Sequence, residues 1–123
     1  MTSNAVCWFE IYVQDMARAR AFYETVLQVK LALLNPAGPE LWAFPQDVAT
    51  PGSGGALARM EGVASGGNST LVYFSCVDCN LEASRIEAAG GRIMKAPFSI
   101  GQYGTIALAF DTEGNLFGLH ARP

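Results

Sequence analysis

One junction occurs twice in this chain. "WFEIYVQDMARARAFYETVLQ" (8–28) and "VYFSCVDCNLEASRIEAAGG" (72–91) each run an apolar, aromatic segment into an aspartate and then into a helical pattern. With Gln14 as one extra residue in the first copy, Asp15 falls on Asp78 and Glu24 on Glu87. Aspartate suits that place because its carboxylate accepts the orphan N–H groups of a first helical turn. After Asp15, the residues Met16, Ala19, Phe22, Tyr23 and Val26 recur at helical spacing and mark the face to be buried. Gly90 and Gly91 close the second helix, "CNLEASRIEAAGG".

Strand patterns fill the rest of each copy. The first copy reads as a strand at 5–13, the helix, then strands at 29–34, 40–44 and 55–60, with turns at 36–38 and "ATPGSGG". A Gly/Ser-rich connection, "GVASGGNS", follows. The second copy reads as a strand at 69–77, the helix, then strands at 92–96, 104–110 and 116–120, with "DTEGN" as the last hairpin turn. The order β-α-β-β-β therefore appears twice, at about 55 residues a copy. The expected fold class is α+β, with modules 5–61 and 69–121 in a single domain of 123 residues. Each module has one apolar sheet face and too little chain to cover it, so the two are expected to bury those faces jointly.

Composition narrows the partners. The formal net charge is −3 and no stretch clusters Lys and Arg, which argues against a nucleic-acid surface. No apolar run approaches the ~20 residues that span a bilayer, so no membrane partner is expected. The start, "MTSNAVCWFE", has neither the basic residues nor the apolar run of a signal peptide, and a cytoplasmic location is the expectation. Three cysteines, an odd number, make no disulfide framework.

Two stretches give the pattern a likeness. "FEIYVQDMARARAFYETVL" near the front and "GTIALAFDTEGNLFGLHA" near the end carry a strand-x-Asp-x-x-x-(Ala/Ser)-x-x-Phe-Tyr start and an Asp-x-x-Gly-Asn-x-x-Gly-Leu ending. In both, the chain resembles the vicinal oxygen chelate superfamily, which includes glyoxalase I, bleomycin-resistance proteins and extradiol dioxygenases. The resemblance covers nearly the whole chain. It implies two modules whose sheets curl into an open cup with the helices outside, and a homodimer.

Active members of that superfamily hold a divalent ion with His and Glu side chains from four strands. The resemblance places the first ligand seven residues before Asp15, at Trp8, and the third six before Asp78, at Val72. The last falls seven after Asp111, at Gly118. The second lies on "GGALARM", where Ala56, Leu57, Ala58 and Arg59 offer no ligand in either phase. A metal needs deprotonatable donors at such positions, so none is expected here. On the same reckoning Glu10 and Tyr12 share the cup face with Trp8, Phe74 and Cys76 share it with Val72, and His120 shares it with Gly118. Cys7 then points toward the helices. A zinc site built from Cys7, Cys76, Cys79 and His120 does not converge, and Cys76 lies in a strand rather than at a helix start. The cysteines read as small apolar fillers.

Glu10 and His120 remain as the candidate catalytic groups. One reading makes them an acid–base pair or a displaced metal site. The other makes His120 a partly buried imidazole bonded to Glu10, Tyr12 or backbone. Trp42 and Phe44 share a face of the third strand. Singly, the aromatics read as core. As a set, Trp8, Tyr12, Trp42, Phe44 and Phe74 would line a concave apolar pocket, with Glu10 and His120 as its polar groups. Phe98 and Tyr103 lie in "APFSIGQYG", either a cover over the mouth or an ordinary connection. The favoured function is binding of a small apolar or aromatic ligand without a cofactor. The alternative is a metal-dependent lyase, isomerase or dioxygenase that uses Glu10 and His120.

Overall fold

The computed structural model describes residues 4–34 and 37–123. The turn expected at 36–38 begins outside the described residues, as do the first three residues of the amino-terminal stretch. The elements are β1 (Trp8–Tyr12), α1 (Met16–Leu27), β2 (Ala32–Leu33), β3 (Glu40–Ala43), β4 (Gly54–Arg59), β5 (Tyr73–Cys76), α2 (Cys79–Ile86), β6 (Arg92–Ser99), β7 (Thr105–Phe110) and β8 (Leu116–Ala121). A short 3₁₀ turn, Gly101–Tyr103, joins β6 to β7.

Two four-stranded mixed sheets result, ordered β1-β4-β3-β2 and β5-β8-β7-β6, and neither closes. In each, the first and last strands of the unit pair in parallel, β1 with β4 and β5 with β8, and the remaining pairs are antiparallel. The α+β architecture read from the repeated junction is the one observed.

Both aspartates cap their helices. Asp15 Oδ1 accepts from Arg18 N at 3.1 Å and Asp78 Oδ1 from Asn80 N at 3.0 Å. All five residues expected on the buried side of α1 are buried: Met16, Ala19, Phe22, Tyr23 and Val26. The second helix is shorter than its pattern suggests, stopping at Ile86 before a tight turn. Gly91 N donates to Ile86 O at 2.9 Å. A Cβ at Gly91 would collide with Phe110 O and the Phe22 ring, so only glycine lets this turn come so close to β7 and α1.

A single aromatic cluster joins the two sheets beneath α1. Tyr23 packs on Phe44, Phe74 and Phe117 at centroid distances of 5.7, 5.6 and 5.5 Å, and Phe22 packs on Phe117 at 5.8 Å. Phe9, Phe44 and Phe74 close a second triangle at 5.2–5.9 Å. Such pairs add to burial through edge-to-face attraction. The Tyr23 hydroxyl donates to Asp111 Oδ2 at 2.7 Å, so the buried phenol is not left unpaired. Burial, then the charge of Asp111, raises the Tyr23 pKa well above its ordinary value.

Asp111 opens the β7–β8 turn, the expected "DTEGN". Its Oδ1 accepts from Glu113 N at 2.8 Å and Asn115 N at 2.9 Å, and Gly114 takes the positive φ of 80° that the turn requires. From the same turn Glu113 reaches the start of α1. It accepts from Gln14 N at 2.9 Å, Asp15 N at 3.0 Å and Arg18 Nε at 2.8 Å. The first unit's helix is thus bonded to the second unit's hairpin.

Candidate functional site

Alternation along β1 sends Phe9 and Ile11 into the core and Trp8, Glu10 and Tyr12 onto the opposite, open face. Register then assigns the neighbouring strand. Gly54, Ala56 and Ala58 pair with Trp8, Glu10 and Tyr12, while Leu57 is fully buried on the helix side. The phase of β4, open from sequence, is therefore fixed, and its open face carries no side chain larger than a methyl group.

Trp8, Glu10 and Tyr12 form one connected array. The Trp8 indole N–H donates to Glu10 Oε2 at 3.2 Å and the Tyr12 hydroxyl to Glu10 Oε1 at 2.9 Å. The bond to Glu10, with some burial and the carboxylate's charge, raises the Tyr12 pKa, so the phenol acts as a donor near neutral pH. The carboxylate stands exposed between two flat aromatic groups and holds both of them in place.

In the second unit the phase differs from the sequence reading. Phe74 and Cys76 pack against the core, and Tyr73 and Ser75 take the open face. The expected face assumed that β5 counts back from Asp78 by an even number of residues. Packing the partly buried Phe74 ring among Phe9, Tyr23, Phe44 and Phe117 decides the matter instead, because even partial removal of a phenyl ring from water contributes about 1–2 kcal/mol. Tyr73, which can leave its hydroxyl in water, turns outward. Val72, the expected third position, lies just before β5, and its carbonyl accepts from Gly118 N at 2.8 Å.

Trp42 and Phe44 also face the helices rather than the cup. Trp42 pairs with Leu57 and lies under the Arg20 guanidinium of α1, 3.5 Å from Arg20 Cζ to the ring centroid. Its indole N–H donates to Glu40 at 3.1 Å. Phe44 is buried. The two do share a face, as read from sequence, but Leu41 and Ala43 on the other face pair with Ala58 and Ala56 beside Glu10 and Tyr12. Of the expected lining set, Trp8, Glu10, Tyr12 and His120 occupy the open face, Phe44 belongs to the core, and Trp42 and Phe74, partly buried, pack against it.

His120 lies on β8 opposite Ser75, two residues beyond Gly118. Its Nε2 is 2.7 Å from Tyr103 O, so the backbone of the β6–β7 connection is its partner, one of the arrangements anticipated. Glu10 and His120 are not bonded to each other. Phe98 sits within β6 and pairs with Ile106, whereas Tyr103 belongs to the exposed 3₁₀ turn. Gly118 is filled from outside: a Cβ there would run into the Tyr73 ring, which lies over it.

A cleft of about 560 Å³ runs between the edge strands of the two sheets, with Trp8, Glu10 and Tyr73 on its walls and 70–72 along its floor. A smaller hollow of about 200 Å³ continues from Glu10 and Thr70 to Tyr12, Asn68, Asn115 and Leu116. The connection between the units forms part of both. It is tied down by Ser65 Oγ donating to Tyr12 O at 2.7 Å and Asn115 Oδ1 accepting from Gly66 N at 2.6 Å. Tyr73 and Ser75 are the site residues that the sequence reading missed. The signal was present in "YFSC": serine between phenylalanine and cysteine marks the wet side of that strand.

Among the described residues, no three His, Cys, Asp or Glu side chains come together as a metal ion would require. Both thiols of the Cys-x-x-Cys pair lie against backbone carbonyls. Cys79 is buried with its thiol 3.4 Å from Thr105 O, and Cys76 is half-buried with its thiol 3.7 Å from Phe74 O. Burial, then the nearby Glu82 charge, pushes the Cys76 thiol up to about 12. No helix among the described residues is long and apolar enough to cross a membrane.

Comparison with known proteins agrees with this architecture. Residues 5–119 match the model of the Glyoxalase/Bleomycin resistance protein/Dioxygenase superfamily. The chain is 26% identical over 117 residues to CFP32 of Mycobacterium tuberculosis, whose name assigns it provisionally to the glyoxylases. That match covers 95% of this chain and 44% of CFP32, so the chain spans less than half the length of this relative. A glyoxalase-related enzyme from Fulvimarina pelagi superposes with a TM-score of 0.74 at 16% identity, covering 98% of this chain and 90% of that one. TnmS3, an antibiotic binding protein from Streptomyces sp. CB03234, superposes with a TM-score of 0.70 at 20% identity, covering 100% and 99%. With the family model spanning both units, the chain belongs to the Glyoxalase/Bleomycin resistance protein/Dioxygenase superfamily.

Proposed function

We propose that this chain binds a small, partly aromatic molecule in the cleft between β1 and β5, and does so without a metal ion. The observation that carries the reading is the Trp8–Glu10–Tyr12 array beside Tyr73. It presents flat apolar rings for stacking and one fixed carboxylate for a ligand donor, the usual construction of a small-molecule site. What supports a metal-free reading is the donor set. Both Glu10 oxygens already accept hydrogen bonds, His120 is tied to Tyr103 O, and the inward positions nearby hold Trp8, Ala56, Tyr73 and Gly118. These groups do not fit the divalent ion that active members of the superfamily hold. TnmS3, which matches end to end, binds an antibiotic, and sequestration of a ligand by stacking is the mode we assign to this cleft.

The open face also exposes Trp8 and Tyr73. A homodimer that closes the cup over the ligand belongs to this reading, as does a cytoplasmic location. The reading is tested by tryptophan emission during a screen of aromatic ligands, with elemental analysis of protein purified without chelator. Saturable quenching is expected, unchanged by chelator, weakened about tenfold or more by Glu10→Gln and abolished as a signal by Trp8→Phe. One equivalent of bound metal per chain, lost together with turnover in Glu10→Gln and His120→Ala, would instead establish the metal-dependent lyase, isomerase or dioxygenase alternative.

A further inference from the structure

A second pocket, of about 330 Å³, lies where Phe9 of β1 and Tyr73–Ser75 of β5 meet the end of α1 and the start of α2. Phe9, Phe44 and Phe74 form its aromatic wall, and Leu27 and Val29 line the rim where α1 ends. Glu82, from the first turn of α2, contributes the acid. Its Oε1 is buried and has no hydrogen-bond partner. The Cys76 thiol lies beside this carboxylate, whose charge and hydrogen bond help to raise its pKa, yet Oε1 itself stays unpaired. The thiol also lies 3.7 Å from Phe74 O, and the nearby Arg85 Nη1 donates to Val26 O at 2.9 Å. A carboxylate oxygen removed from water without a donor is costly, and the cost is relieved when a ligand brings one.

We propose that this pocket binds a small primary ammonium with an aromatic or branched aliphatic body. The ammonium would donate to Glu82 Oε1 while the body packs among the three phenylalanine rings. Each part follows from chemistry already in place. Only a donor satisfies the orphan oxygen, a cation gives the stronger charge-assisted bond, and ring faces attract cations at short range. The volume lies at the small end for ligand sites and excludes a large partner. The pocket shares Phe9, Ser53, Val72 and Tyr73 with the cup cleft, but Leu27, Val29 and Glu82 line it and not the cleft, so this inference rests on groups that the proposed cup ligand does not use.

The test uses benzylamine, benzyl alcohol and benzoate as probes, titrated into the full chain and followed by methyl NMR signals of Leu27 and Val29. Benzylamine is expected to shift those signals and to bind at least about tenfold more tightly than the alcohol, with benzoate weakest. Glu82→Gln should remove that preference, and Glu87→Gln, at the exposed acid that caps the end of the same helix, should leave it intact. Val29→Phe, which fills the rim, should block all three probes while Glu82 is untouched, which keeps the proposal testable if Glu82→Gln folds poorly. The proposal is overturned if benzylamine binds no better than benzyl alcohol, if Glu82→Gln retains the preference, or if the shifts appear at the Trp8 indole instead.

Discussion

At the scale of single residues, Glu10 and Cys76 show how surroundings set chemistry. Glu10 stands exposed but is held by two neighbours on its own strand, so its carboxylate is positioned before any ligand arrives. Such preorganisation lowers the cost of binding. Cys76 has a reactive functional group in an unreactive place. With its thiol pushed up to about 12 by burial and Glu82, its thiolate fraction near pH 8 is roughly a thousandfold below that of an ordinary cysteine. Alkylation of native protein, followed by mass spectrometry, should therefore label exposed Cys7 first and leave Cys76 and Cys79 unmodified until the protein is unfolded. The raised value also fixes a sign. Stability linked to Cys76 is complete below pH 9 and falls as pH climbs toward about 12, because the thiolate forms more easily in the unfolded chain.

At the scale of elements, the β7–β8 turn and the start of α1 act as one unit. Burial alone would raise the Glu113 carboxyl, but bonds from Arg18, Asp15 N, Gln14 N and Thr112 outweigh it and bring the carboxyl down to about 2. Arg18 is 54% exposed, so solvent screens its share and the two backbone N–H groups contribute most. Glu113→Gln is expected to cost about 1–2 kcal/mol in urea unfolding at pH 7. Because the folded value is depressed, the contribution is present above about pH 4.5 and is lost as pH falls toward about 2. The wild-type and Glu113→Gln stabilities should therefore converge in acid; a constant gap between them would assign the effect to packing. Helix positions were legible in sequence because local signals set them: Asp15 and Asp78 cap, and the period of Met16 to Val26 names the buried face. Clasps such as Glu113 on Gln14 were not, since they join residues about a hundred positions apart.

At the scale of the whole molecule, the two repeats are fused through aromatic rings rather than through a shared sheet. Phe74 touches Phe9, Tyr23, Phe44 and Phe117, and so bridges both sheets and α1. Phe74→Ala should cost about 3 kcal/mol and lower the thermal midpoint of the entire chain in a single transition. Two separate transitions would mean that the units fold independently. The fold class could be read from the repeated junction, and Ser75 between Phe74 and Cys76 marked the wet side of β5, but the facing of β3 could not be read. In β3, strand alternation says which residues share a side, and only packing decides which side is inside. That is why Trp42 and Phe44 were expected in the cup, whereas Phe44 lies in the core and Trp42 packs against it. One contact in the cup also constrains how its chemistry can change. Since Tyr73 occupies the space above Gly118, a carboxylate cannot be installed at 118 by one substitution without evicting the ring. A ligand gained at 118 would therefore displace Tyr73 from its place in the aromatic wall, so metal holding and ring stacking compete for the same space.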